Sequence, residues 1–415
     1  MPTDRTAAHG TDADAPRVCM YVDTVARTDF RVMRTASALV QAGVAVAIVD
    51  IGDRAEAPAR EEVDGISFRH VRMPSWYVAT RFKPLFLVKL LVMIARGLFQ
   101  LLRAPADVFH AHDERSLPAC YLAAKLRGKP LIFDAHELPL ESLAVKRRRL
   151  LRAVALIGMR GMISGCAEVL TVSPPLIDEI AHRFGGPRAA VVRNIPNYVA
   201  PCASDSLRRH LHLAPKRRIA LYQGNFQGDR QLDTLVHAAS HLRPETVIVL
   251  MGQGPLRADL EALIDQEAVS DQVKLIPPAP YLELLRWTAS ADLGLILYPP
   301  SDSPNVRFCL PNKLFEYLMA GLPVLSSDLP AVAELLAQHD TGRTLDTLDP
   351  RAVAFAIDGL LDDKAGLARF RANAVAACAH ELRWDVEQNQ LLRVYERILT
   401  KPLVAPVVVP PALVP

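Results

Sequence analysis

"FCLPNKLFEYLMAGLPVL", residues 308–325, reads as a helix that stops at Gly321 and Pro323 and runs straight into an apolar strand. Pro311 suits the first helical position, where its missing N–H is no loss, and Leu314, Phe315 and Leu318 repeat at helical spacing. Lys313 then falls in the first turn. A cation there faces the positive end of the helix dipole, at a cost of roughly 0.3–1 kcal/mol unless an anion sits beside it. Two readings of Lys313 stand: a solvated surface lysine, or one wall of a phosphate site at a helix start.

The same alternation extends outward through the chain. RVCMYVD (17–23), VAVAIVD (44–50), DVFHAHD (107–113), PLIFDAHE (130–137), AEVLTVS (167–173) and AAVVRN (189–194) are strand candidates, most of them separated by longer amphipathic stretches. Near-continuous apolar strands alternating with helices specify a parallel sheet covered on both faces. IPNYVAPCASDS (195–206) breaks the pattern, which restarts with IALYQG (219–224), TVIVLMG (246–252), QVKLIPP (272–278), LGLILY (293–298) and PVLSSD (323–328).

The expected fold class is therefore α/β, with two Rossmann-like doubly wound domains facing each other across a cleft at the carboxyl ends of their strands. The first spans 17–197 and the second 203–378, with a linker at 198–202 and a final helix within 379–400. Residues 1–16 read as a disordered tail without the apolar core of a secretion signal, and 401–415, with five prolines in the last 14 residues, as an extended one.

Composition sets limits on function. Half of the 415 residues are apolar, 22% are charged and the net charge is +3, too mild a balance for a nucleic-acid binder. The six cysteines, Cys19, Cys120, Cys166, Cys202, Cys309 and Cys378, have no metal-ligand spacing and read as reduced thiols of a cytoplasmic protein.

PNKLFEYLMAGLPVLSSDLPAVAELL, FHAHDERSLPACYLAAKLRGKPLIFDAHEL, VLTVSPPLIDEI and VVRNIPN, in order over about residues 18–395, resemble the GT-B glycosyltransferases of family four. That resemblance implies transfer of a sugar from a nucleotide-sugar donor (UDP-, GDP- or ADP-sugar) to an acceptor hydroxyl, in glycan or polysaccharide assembly. It implies retention of anomeric configuration and neither a cofactor nor a metal. The donor belongs to the second domain, the saccharide or lipid-linked acceptor to the first, and the last helix crosses back to the first. Many relatives carry a Glu where this chain has Phe308, which leaves one donor contact unassigned.

Carried onto this sequence, the resemblance gives Lys313 and Arg230 to the diphosphate, Gly224, Gly228 and Asn312 to donor binding, Glu316 to the donor ribose and His136 to the donor sugar near its reacting carbon. Plainer readings stand beside these: Glu316 as an ion-pair partner of Lys313, Arg230 as a loop cap, His136 as a satisfied loop histidine. Arg31 either reaches a substrate or faces solvent. His110 and His112 alternate on one strand without a third ligand in a nearby motif, so no metal site is assigned. Gly252 and Gly254 in MGQGPLR form only part of a dinucleotide fingerprint, since Arg257 takes the third glycine position.

RFKPLFLVKLLVMIARGLFQLLR (81–103) carries Lys89, Arg96 and Arg103 every seven residues on an otherwise apolar helix, and KRRRLLRAVALIGMRGM (146–162) is a second basic, apolar segment. The pair fits either an interfacial helix on an anionic membrane surface or a helix packed on its sheet with cations outward. A sugar-nucleotide epimerase of the same architecture and a non-catalytic membrane-bound partner subunit are the rival functions.

Overall fold

Strands with no polar alternation must be buried on both faces, and two sheets of this computed structural model do so. It describes residues 15–51, 58–73, 86–141, 149–187, 189–299 and 303–403. Almost all of the two expected tails, and Lys146, Arg147 and Arg148 of the second basic segment, lie outside the described residues.

The first sheet contains β1 (Arg17–Tyr21), β2 (Ala45–Ile51), β3 (Arg60–Val63), β4 (Ile66–Val71), β5 (Val108–His112), β6 (Leu131–Ala135), β7 (Glu168–Thr171) and β8 (Ala189–Val191). Their order is β3-β4-β2-β1-β5-β6-β7-β8, with every pair parallel except β3 with β4. The chain leaves β1 toward β2 on one side and later fills β5 to β8 on the other. Right-handed crossovers therefore put helix Phe30–Gln41 on one face, and helices Phe86–Arg103, Asp113–Arg127 and Arg149–Ser164 side by side on the other.

The second sheet contains β9 (Arg218–Gln223), β10 (Thr246–Met251), β11 (Val273–Ile276), β12 (Leu293–Ile296), β13 (Val324–Ser327) and β14 (Gly342–Leu345), all parallel, in the order β11-β10-β9-β12-β13-β14. Successive strands leave β9 in opposite directions, so the switch point where a ligand crevice forms lies between β9 and β12. In the first sheet it lies between β1 and β5.

By contact, the described residues divide into a first unit of those up to Val172, Leu176–Val192 and those from Gln388 to Leu403, and a second of Ser173–Pro175 and Arg193–Glu387. The last helix, Trp384–Leu399, thus begins in the second unit and continues in the first. Three strands were not expected. β3 and β4 form an antiparallel hairpin on an otherwise parallel sheet, and β14 is a four-residue edge strand. Helix Asn312–Met319 starts one residue later than its proline predicts, with Pro311 in extended geometry at the N-cap. Among the described residues no helix is long and apolar enough to cross a membrane.

Candidate functional site

In the second unit, helix Asn312–Met319 is pinned across the switch point by one phenol. Tyr317 Oη accepts the Gln223 N–H at 3.0 Å and lies 3.0 Å from the Leu221 carbonyl and 3.3 Å from that of Leu295, on the two strands that flank the crevice. The ring fits because Gly294 has no side chain: a Cβ there would come 2.6 Å from it. This anchor fixes Lys313 and Glu316, which sit on the same helix.

Lys313 is buried, with 8% of its surface exposed, which removes the surface-lysine reading. Its Nζ lies 3.8 Å from the centroid of the Tyr222 ring and 5.9 Å from that of Tyr298. The Arg230 guanidinium stacks 4.5 Å from the same Tyr298 ring, with Asp229 3.5 Å away. Two cations thus share an aromatic floor, and no carboxylate among the described residues forms an ion pair with Lys313. Burial, then the charge of Arg230, pulls the Lys313 ammonium down to about 7.

Glu316 is not the partner of Lys313. Its Oε2 accepts from Gln223 Nε2 at 2.6 Å, and Gln223 Oε1 in turn accepts from the Thr288 hydroxyl at 2.8 Å. Gln223, itself bonded to Thr288, thereby fixes one oxygen of the Glu316 carboxylate. Asn312 Oδ1 accepts from Asn194 Nδ2 at 2.9 Å. Gly224, at φ +133°, passes close to Lys313, where an added Cβ would lie 3.4 Å from Nζ. Gly228 has nothing within 4 Å of such a Cβ and is not drawn into the cluster.

Gly252 and Gly254 have a packing role. A Cβ on Gly252 would meet the Gly224 carbonyl oxygen at 1.9 Å, and one on Gly254 the Phe226 oxygen at 2.4 Å. They let the loop after β10 lie against the loop after β9, with Phe226 N donating to Gln253 O at 2.8 Å. Tyr222, Tyr298, Gln223 and Thr288 were not singled out from the sequence. Tyr222 and Tyr298 do sit at strand ends just before turn residues, in LYQGN and LILYPP, and that placement is the signal that would have found them.

In the first unit, His136 follows β6. Its Nδ1 lies 3.2 Å from Asp113 Oδ2 and its Nε2 3.5 Å from Asp134 Oδ2. Burial opposes its protonation, but Asp113 and then Asp134 outweigh that and raise its pKa to about 10. Asp113 stands at φ +63°, a strained backbone for a non-glycine residue.

Arg31 does not face solvent. It is 3% exposed, forms a bidentate pair with Asp134 at 2.8 and 2.7 Å, and donates to the Val192 carbonyl at 2.6 Å. Burial disfavours an ionised Asp134, yet Arg31 and then His136 hold its carboxyl well below the usual range. Asp134 also supplies the third neighbour that His110 and His112 lacked in sequence, with Oδ2 4.0 Å from His110 Nε2 and 3.4 Å from His112 Nδ1. Arg31, His136, Asp134 and Asp113 already balance in charge. A cation among them would meet the Arg31 guanidinium, so the donor set fits a metal poorly.

The Glycosyltransferase Family 4 profile matches residues 30–201, and the Glycosyl transferases group 1 profile matches residues 204–376. The chain is 27% identical over 321 residues to the D-inositol 3-phosphate glycosyltransferase of Thermobispora bispora, covering 71% of each protein. Among solved structures it resembles sucrose-phosphate synthase from Thermosynechococcus elongatus, with a TM-score of 0.76 and 16% identity over 93% of this chain and 99% of that one. It also resembles the Anabaena protein HepE in complex with UDP and glucose, with a TM-score of 0.70 and 14% identity over 92% of this chain and 100% of that one.

Proposed function

Because the chain belongs to the group 1, family 4 glycosyltransferases and has their two-domain GT-B fold, we propose that it moves a sugar from a nucleoside diphosphate sugar to a saccharide or lipid-linked acceptor hydroxyl in glycan assembly. One observation carries this reading: Lys313 is buried beside Arg230 over Tyr222 and Tyr298, with no carboxylate paired to it among the described residues. A diphosphate at the helix start would supply the missing negative charge, taking hydrogen bonds from the helix N–H groups, Lys313 and Arg230. Glu316, whose Oε2 accepts from Gln223, takes the ribose hydroxyls of the donor.

In the transfer, the bond between the sugar's anomeric carbon and the diphosphate oxygen breaks, the acceptor oxygen forms the new bond, and the acceptor's proton passes to the departing diphosphate oxygen. Negative charge grows on the departing diphosphate, and cations fixed in a site of low dielectric stabilise that charge more than the ground state. Lys313 and Arg230 do the work that a divalent cation does elsewhere, so turnover needs no metal. His136, an imidazolium whose two ring nitrogens face Asp113 and Asp134, acts near the donor sugar through its positive charge and not as a base. The product keeps the anomeric configuration of the donor. The enzyme works on the cytoplasmic side, where nucleotide sugars are made.

A panel of UDP-, GDP- and ADP-sugars tests the reading by thermal shift, followed by product analysis with chelator present. One donor is expected to raise the melting temperature, and transfer is expected to survive chelation. Activity that chelator abolishes and Mg²⁺ restores would overturn the role given to Lys313 and Arg230.

A further inference from the structure

Most of the large apolar side chains that are exposed among the described residues sit on three neighbouring helices of the first unit. Helix Phe86–Arg103 exposes Val88, Leu91, Phe99 and Leu102, with Leu91 65% and Phe99 50% exposed. Helix Asp113–Arg127 adds Leu122 and Leu126, and helix Arg149–Ser164 adds Val154 and Ile157, the last 73% exposed. These helices are adjacent in one layer, because helix Asp113–Arg127 packs against both of the others. Arg127 ties two of them together by donating to the carbonyls of Leu102 and Ala104 at 3.1 and 3.2 Å.

The charges on this layer have one sign. Neither Phe86–Arg103 nor Arg149–Ser164 contains an Asp or Glu, and Asp113 and Glu114 stand at the sheet's carboxyl edge. Arg96, Arg103, Lys125, Arg127 and Arg160 are all exposed. At roughly 100° per residue, Val88, Leu91, Phe99 and Leu102 form one stripe of the first helix and Lys89, Arg96 and Arg103 the stripe beside it. Core contacts come from a third side, with Met93, Gly97 and Leu101 buried. The apolar residues of this helix are therefore not spent on the sheet alone: packing leaves a second apolar stripe facing out.

At the far side of the layer, helix Arg149–Ser164 borders a cavity of about 540 Å³ with Leu140, Leu156 and Phe184 in its lining. Its rim carries Arg152 and Arg183, both bonded to Glu141, and Arg160, which donates to the Arg183 carbonyl at 2.6 Å and pairs with no carboxylate among the described residues.

We infer that the outer face of these three helices docks on an anionic lipid bilayer, with the apolar side chains at the acyl boundary, the cations among the headgroups and one headgroup phosphate at Arg160. Charge complementarity selects this occupant. A second copy of the chain meeting the same face would set cations against cations with no acid to pair them. The inference extends the reading of a lipid-linked acceptor proposed above, but it stands on a surface that takes no part in nucleotide binding.

Co-sedimentation of the full chain with vesicles of phosphatidylcholine, with and without phosphatidylglycerol, tests it. Binding is expected only with phosphatidylglycerol, weakened by salt and roughly fivefold weaker for each cation removed, as in Arg96→Gln or Arg160→Gln. Leu91→Glu with Phe99→Glu should abolish it, and the single variant Phe99→Trp should shift its emission to the blue on adding anionic vesicles. Absence of binding at low salt, or a dimer in sedimentation that Leu91→Glu dissociates, would overturn the inference. UDP affinity measured on the same preparation separates the two readings: retained UDP binding without vesicle binding refutes only the docking face.

Discussion

The ammonium of Lys313 stands 3.8 Å from the centroid of the Tyr222 ring, in contact with an aromatic face where an acid would be expected. A cation over a ring is stabilised by the quadrupole, but the ring accepts no conventional hydrogen bond from it. Replacing Lys313 with Met should leave the fold intact and weaken binding of the nucleoside diphosphate that the donor panel selects by about 1.5–3 kcal/mol. Isothermal titration reads this directly, and an unchanged affinity would remove Lys313 from the diphosphate site.

The same residue sets a pH dependence. With a native pKa of about 7 against an ordinary 10.5, Lys313 is neutral in the native state and charged in the unfolded state between those values. The unfolded state holds the extra proton there, so the Lys313 contribution to stability improves as pH rises across that window. Below about pH 7 both states are protonated and the full burial penalty applies. Urea unfolding should therefore find Lys313→Met more stable than the parent at pH 6, with the advantage shrinking toward pH 10.

Diphosphate binding should restore the charge on Lys313. Near pH 8 the free site is mostly neutral, so binding of that nucleoside diphosphate is expected to take up close to one proton, and far less near pH 6. Calorimetry in buffers of differing ionisation enthalpy measures that uptake as a slope. A flat response at pH 8 would mean that the phosphates do not reach the amine.

His136 carries the opposite sign. Its pKa is raised from 6.5 to about 10, so its stabilising contribution is complete below pH 6.5 and is lost as pH climbs through 10. In NMR the His136 ring should stay protonated through pH 8, and Asp113→Asn should bring its titration down. A ring that titrates near its ordinary value in the parent protein would contradict the Asp113 and Asp134 contacts.

Arg31 and Asp134 form a pair with almost no solvent contact, at 3% and 1% side-chain exposure. Arg31→Met alone strands a buried carboxylate and should cost about 3–5 kcal/mol, while Arg31→Met combined with Asp134→Leu should recover much of that. Denaturant melts of the single and double variants decide it. Equal destabilisation by both would mean that the carboxylate finds other support.

Central strands were legible because burial on both faces demands continuous apolar runs, and β1, β2, β5 and β9 supply them. The hairpin of β3 and β4 was not, since Arg60, Glu61 and Glu62 at the sheet edge give β3 no apolar signal. β14 hides for another reason: Gly342 reads as a turn, yet it is there because a Cβ would meet the Val324 carbonyl at 2.0 Å. Within the candidate site, Lys313, Arg230 and Glu316 stand out as charges in unusual local positions. The pairing of Arg31 with Asp134 spans 103 residues and has no local signature, so the chain around Arg31 offered only a substrate contact or a solvent-facing residue.

His110, fully buried in β5, sits with its Nδ1 2.6 Å from the hydroxyl of Tyr395, a residue 285 positions later. On a ribosome making roughly 5–20 residues per second, that partner arrives tens of seconds after the strand itself. During this interval the whole second unit is synthesised while the first waits with an open seam. The first unit, although begun earliest, can be completed only when the last helix is released, so a chain that stalls before Gln388 would leave both halves present and neither the seam nor His110 closed.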